Sequence, residues 1–179
     1  SLKEFSNKIQ YHQINIDLKQ IENEESWIIE GVKGDDAWKV ENYQRNYIKQ
    51  ACNKFSDDNI IILSDVDEIP SKEKLDFILN CDFKKIAPIA LEQHLFHLDC
   101  NYLRQESWRG SILTTMQICK KYSPQKLRNG RNRISHLSDS GWSFCLKRSN
   151  QTQQFRVSFA VAFLPVRVPG AQFRWPDSR

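Results

Sequence analysis

Apolar and polar positions change period along the 179-residue chain, and each change predicts an element. Over residues 37–55, steps of 100° gather Val40, Tyr43, Tyr47, Ile48, Ala51 and Phe55 into one stripe, which predicts a long helix laid on a sheet. Asp35 and Asp36 stand where its N-cap belongs. Trp38, Glu41 and Arg45 fall off the stripe at i, i+3 and i+7. Residues 60–63 are four aliphatic side chains without alternation, which predicts a strand buried on both faces, as in a parallel sheet with helical cover. Pro70 and the run KEKLDFIL predict a helix directly behind it. Residues 8–16 (KIQYHQINI) alternate loosely, as a strand with one wetter face would. Residues 86–99 read as a strand or a bent pair of strands. The Arg109-Gly110 pair predicts a turn into another, and the Asn-Gly step after Arg128 a flexible cationic loop. Strands alternating with helices make this an α/β domain.

Composition narrows the class. With 40% hydrophobic and 27% charged residues, the chain is a globular domain with a core of useful size. VSFAVAFL, at 157–164, is too short to cross a bilayer, since a spanning helix takes about 20 apolar residues. Cys52, Cys81, Cys100, Cys119 and Cys145 are odd in number and form no C-x-x-C pair, which argues against a disulfide framework and a zinc site. The net charge of +4 is uneven: residues 1–143 hold 20 Lys and Arg against 21 Asp and Glu, and residues 144–179 hold 6 against the single Asp177. Without a basic stripe on the body of the chain, a nucleic-acid partner is not expected.

The chemistry concentrates in SDVDEIP, residues 64–70. Asp65 and Asp67 leave the carboxyl end of a buried strand, where ligands bind in open α/β sheets, and two carboxylates at i and i+2 suit one hard divalent cation. A solvated acidic turn is the plain alternative. Glu41 and Arg45 form either a surface ion pair or, with Trp38, a constellation flanking that turn, Arg45 then serving a phosphate or a neighbouring carboxylate. Arg128, Arg131 and Arg133 lie within six residues. A diphosphate shared between a metal and arginine forks would use such a loop, although a solvated basic loop is as common. His94 and His97, three apart, read as satisfied core or edge groups.

These residues carry a resemblance. AWKVENYQRN followed by IIILSDVDEIP, then Leu127-Arg128 and the Gly141-Trp142-Phe144 string, is similar to the β-1,4-N-acetylglucosaminyltransferase family, glycosyltransferase family 17, over roughly residues 5–145. The resemblance implies a GT-A-like (Rossmann-type) nucleotide-sugar-binding fold, N-terminally truncated, over residues 1–145. It implies Asp65 and Asp67 as metal ligands for Mn²⁺ or Mg²⁺, a UDP-sugar donor (UDP-GlcNAc) and a glycan or glycoprotein acceptor, as in protein N-linked glycosylation, with inversion by direct attack. Trp38, Glu41, Arg45, Arg128 and Arg131 would line the donor site. The compartment would be the cytoplasm in a bacterium and the Golgi lumen in a eukaryote. Ser143 stands where relatives have the histidine that can complete a metal shell, and His136 is its conceivable substitute.

An inverting transferase needs a base within reach of the acceptor hydroxyl, and Glu68, Asp139 and Glu92 are the candidates in that order. A phosphatase-like hydrolase also places D-x-D after a buried strand, but Ile69 stands where it would have Thr or Ser. An inactive nucleotide-sugar-binding relic is the non-enzyme reading. Residues 146–179 form a divergent basic tail with no assigned role and a weak glycosylation sequon at Asn150.

Overall fold

The computed structural model describes residues 10–17, 19, 21, 27–29, 32–33, 36–98, 102–146 and 159–164. Trp27–Ile29 (β1) and Val32–Lys33 (β2) form a small antiparallel pair ahead of a helix, Asp36–Ala51 (α1). The main sheet is built from Ile60–Asp65 (β3), Glu68–Pro70 (β4), Ile89–Leu98 (β5), Leu103–Thr115 (β6), His136–Leu137 (β7), Gly141–Leu146 (β8) and Phe159–Leu164 (β9). Its order is β4-β8-β5-β6-β3-β9, with β7 paired to β5 off that path. Helices Lys72–Leu79 (α2), Phe83–Ile86 (α3), Met116–Tyr122 (α4) and Pro124–Asn129 (α5) complete the chain.

The apolar run at β3 is buried on both faces as its pattern implies. Ile61 and Leu63 pack with Ile48, Ile112, Met116 and Leu127 on the α1, α4 and α5 side, while Ile62 packs with Leu75, Ile78 and Phe83 under α2 and α3. Each such fully buried side chain contributes about 1.5–3 kcal/mol. The expected parallel pairing is corrected, however: β6 and β9 both run antiparallel to β3. Among the described residues only β7 and β8, each against β5, pair in parallel. Unbroken apolarity in β3 therefore records cover on two faces and says nothing of strand direction. The divergent tail supplies β9, which covers the β3 edge.

Local chemistry sets the helix starts. Pro70 ends β4 instead of opening a helix; Ser71 caps α2, accepting from the Lys74 N–H at 3.4 Å. Thr115 caps α4, and Ser123 with Pro124 opens α5, where a flexible loop was expected, so Arg128 rides on the last turn of a short helix. Arg109 and Gly110 lie inside β6 and form no turn. Residues 10–17 hold no strand, contrary to the alternation there. Helix α1 ends at Ala51, earlier than its pattern; of the predicted stripe Ile48 is buried and Ala51 and Phe55 pack against the core, while Val40, Tyr43 and Tyr47 are only half-buried and Asn42 and Arg45 are buried in their stead. Hydrophobicity misplaced part of that face because the partner, α5, offers polar groups: Gln125 accepts from Arg45 and donates its N–H to Asn46 Oδ1 at 3.1 Å. Asp35, Cys100 and Asn150 lie outside the described residues.

Cys52, Cys81 and Cys119 are free thiols. Burial pushes Cys52 up to about 11 and Cys119 up to about 12, so both are inert packing groups. No helix among the described residues is long and apolar enough to cross a membrane.

Candidate functional site

The β3–β6 ladder stops at the Leu63–Ile112 pair, and β3 delivers Asp65 into a tight turn, Val66-Asp67, that leads into β4. The first residue of β4, Glu68, turns its carboxylate inward against β6. That is possible because position 110 is glycine: a Cβ there would stand 2.5 Å from Glu68 Oε1 and 2.5 Å from Gln93 Oε1. Glycine inside a strand marks such a close approach.

Helix α5 then brings Arg128 beneath the turn. Its Nη1 donates to Glu68 Oε2 at 2.9 Å and its Nη2 to Glu68 Oε1 at 3.0 Å, a two-pronged pair. Nη2 also reaches Asp65 Oδ2 at 2.6 Å, and Nη1 the Gly110 carbonyl. From α1, Arg45 donates to Asp65 Oδ1 at 3.3 Å and to Glu41 Oε1 at 2.8 Å. Glu68 further accepts from Trp108 Nε1 at 2.9 Å, the Asp65 N–H at 2.9 Å and Ser111 Oγ at 3.3 Å. Its side chain is 1% exposed. Burial alone would raise its pKa, but the charge and hydrogen bonds of Arg128, with those of Trp108 and the Asp65 N–H, hold it below the ordinary glutamate range. Arg128 responds in kind: burial would lower its pKa, and the charges of Glu68 and Asp65 raise it. Asp65, Glu68 and Glu41 thus share the guanidinium groups of Arg45 and Arg128 in one network of ion pairs, three carboxylates to two cations.

Two groups at the rim are not compensated. Asp67 is half-buried, and among the described residues it makes no ion pair; burial first, then the neighbouring charges of Glu68 and Asp65, push its pKa above the ordinary aspartate value. Arg131 is half-buried, with its guanidinium 4.7 Å from the Trp108 ring centroid and Nη1 donating to the Arg128 carbonyl at 3.1 Å. It too makes no ion pair among the described residues. Burial and then the charge of Arg128 lower its pKa. A carboxylate short of a cation and a cation short of an anion therefore flank one buried cluster.

This geometry sorts the sequence candidates. Asp65, Glu41, Arg45, Arg128 and Glu68 come together, and Trp38 continues the Glu41–Arg45 side of α1 by one turn without a hydrogen bond into the cluster. Arg128 sits buried on a helix, a correction to the expected flexible cationic loop and to its solvated alternative. Glu68, first in order as a general base, has its lone pairs taken by Arg128, Trp108, Ser111 and the Asp65 N–H, so it holds the site together and has no room for a substrate proton. Asp139 is 73% exposed at the side chain and lies 2.9 Å from His94 Nε2. Glu92 accepts from Ser107 Oγ at 2.8 Å, and that bond and one from Ser138, aided by the charges of His136 and Arg109, hold its pKa low. His136 stands 3.8 Å from Glu92, and Ser143, buried on β8, lies opposite Glu68 in the β4–β8 ladder without a side-chain hydrogen bond to the acidic residues of the turn.

A divalent cation fits this site through Asp67 alone. Both Asp65 oxygens are already engaged by guanidinium groups, and among the described residues no three His, Cys, Asp or Glu side chains are gathered to hold a metal. One carboxylate completed by phosphate oxygens and water is ordinary for Mg²⁺-type sites. The same guanidinium groups count against a phosphatase, in which Asp65 would have to be free to attack. Trp108, Ser111 and Gln125 were not singled out from the sequence, and Gly110 was read there only as part of a turn; a glycine within a strand was the readable signal.

The family model described as Glycosyltransferase family 17 matches residues 2–160, running past the last recognisable motif. No curated protein and no solved structure matches the chain.

Proposed function

The chain belongs to glycosyltransferase family 17, and from that premise we propose that it moves N-acetylglucosamine or a related sugar from a UDP-sugar to a hydroxyl of a glycan, with inversion. The observation that carries the reading is the pair at the rim, Asp67 and Arg131, both half-buried and neither in an ion pair among the described residues, beside a cluster whose members pair with one another. A nucleotide diphosphate with its metal supplies the two missing partners, anion to Arg131 and cation to Asp67. The acidic turn at the end of a buried strand in a mixed α/β sheet supports a GT-A-like arrangement.

When bound, Mn²⁺ or Mg²⁺ would be held by Asp67 and would offset charge on the departing diphosphate. Arg131, stacked on Trp108, binds the diphosphate oxygens and stabilises the charge that develops as the bond to the sugar breaks. Arg45 and Arg128 fix Asp65 and Glu68, so that the turn presenting Asp67 is preorganised. Asp139 takes the proton of the acceptor hydroxyl while that oxygen attacks the anomeric carbon, and UDP leaves with the bonding electrons. His94 orients Asp139. Glu92, with its depressed pKa, is the weaker base.

Calorimetric titration of UDP-GlcNAc, with and without Mn²⁺, tests this. Binding that needs Mn²⁺ and is lost in Asp67→Asn and weakened at least tenfold in Arg131→Ala supports the reading. Equal binding by wild type and Asp67→Asn defeats the metal assignment. Binding with no transfer to any acceptor identifies the inactive relic.

A further inference from the structure

The sheet register places four side chains in one row. Ile69 on β4 lies opposite Trp142 on β8, Trp142 opposite His94 on β5, and His94 opposite Ser107 on β6. Directly opposed residues point to the same face of a sheet, and with strands about 4.8 Å apart the row runs about 14 Å. All four are exposed, Trp142 at 42% and Ile69 at 50%. Hydrogen-bonding groups stand along it: Asp139 Oδ1 lies 2.9 Å from His94 Nε2, and Glu92 Oε1 accepts from Ser107 Oγ at 2.8 Å. The row begins two residues from Asp67, whose carbonyl accepts the Phe144 N–H of β8 at 3.0 Å.

We propose that this row is the acceptor subsite, a platform on which a pyranose ring of a glycan stacks against Trp142 while its hydroxyls donate to Asp139 and Glu92. The proposal rests on the transferase reading for the word acceptor, but its argument is the chemistry of the row. A pyranose has one face of C–H groups and a rim of hydroxyls. An exposed indole meets the first, since its negative π-face attracts polarised C–H bonds, and carboxylates with a histidine meet the second. Other occupants fit less well. The carboxylates repel a nucleic-acid backbone, and the centre of a protein interface is depleted in charge, whereas here ionised groups stand within hydrogen-bond reach of the row. Asp139 would then touch the hydroxyl that reacts, and Trp142 would be a specificity-determining residue one strand away.

The test is saturation-transfer NMR and tryptophan fluorescence on the full chain. The probes are soluble di- to pentasaccharides of N-acetylglucosamine, mannose, galactose and glucose, with UDP–Mn²⁺ binding measured in parallel by calorimetry. Wild type is expected to bind at least one oligosaccharide, Trp142→Ala to lose at least tenfold in affinity and Trp142→Phe to keep an intermediate value, all three with unchanged circular dichroism and unchanged UDP binding. If no oligosaccharide binds folded wild type, or if the Trp142→Phe variant and the Asp139→Asn variant both bind as wild type does, the subsite is refuted. Oligosaccharide binding that depends on Trp142 in a chain that binds no UDP would uphold the platform and overturn the transferase reading.

Discussion

The buried cluster below the acidic turn and the rim above it use the same residue types to opposite ends. Below, Arg128 and Arg45 are each held between carboxylates of Glu68, Asp65 and Glu41, and Arg128, Arg45 and Glu68 are almost dry. Above, Asp67 and Arg131, only one and three residues from members of that cluster, are half-wet and unanswered. Proximity in sequence did not decide which arginine or aspartate became structural; the element each rides on did. Arg128 is carried inward by the last turn of α5, and Arg131 is released by the turn that follows. A binding site is the place where the protein leaves charge for a ligand to complete, and its foundation is the place where it does not.

Removing the foundation should have the largest effect. Arg128→Ala leaves Glu68 buried without its cation, which is expected to cost about 3–5 kcal/mol in urea unfolding. A loss below 1 kcal/mol would mean that water reaches Glu68 and that the cluster is no different from the rim. Gly110→Ala drives a methyl into the Glu68 carboxylate and should cost about 1–3 kcal/mol by the same assay, in the manner of an overpacked core. At the rim, Arg131→Ala should change stability by only about 0.5–1 kcal/mol, its cation–π contact with Trp108, while UDP affinity falls at least tenfold. Stability and binding thus separate between two arginines three residues apart.

Acid should produce the smallest and most diagnostic effect. Glu68 has a folded pKa below its unfolded one, so its contribution is present above the ordinary glutamate value, about 4.3, and is lost as the pH falls through the lower folded value. Asp67 has the opposite sign: its folded pKa is raised, so its ionisation opposes folding and its protonation relieves that cost as the pH falls. Urea titrations at stepped pH should therefore show a shallower acid loss in Glu68→Gln than in wild type, and a steeper one in Asp67→Asn. Identical slopes in all three would remove the distinction between cluster and rim.

Much of this was readable beforehand, and the misses share a cause. The buried strand, the acidic turn and the helix behind it follow from local pattern, as does the pairing of Glu41 with Arg45. The inward face of α1 was only partly assigned because apolar counting cannot see that Arg45 and Asn46 meet Gln125 on α5, some 80 positions on. Glu68 looked like a reactive acid beside a metal pair; only the tertiary structure shows Arg128, Trp108 and Ser111 closing over it. Strand direction was invisible because apolarity reports cover and not pairing. Trp142 read as part of a motif, and only the sheet register reveals it as the centre of a row.

The arginine hub also has a temporal consequence. Its bonds join positions 45 and 125, 65 and 128, and 68 and 128, separations of 80, 63 and 60 residues. Such ties are late rewards in folding, because a long loop must close before any of them forms. The turn that offers Asp67 is thus a report on completion: a growing chain possesses the residues of the site early, but the site itself exists only after α5 has emerged and docked.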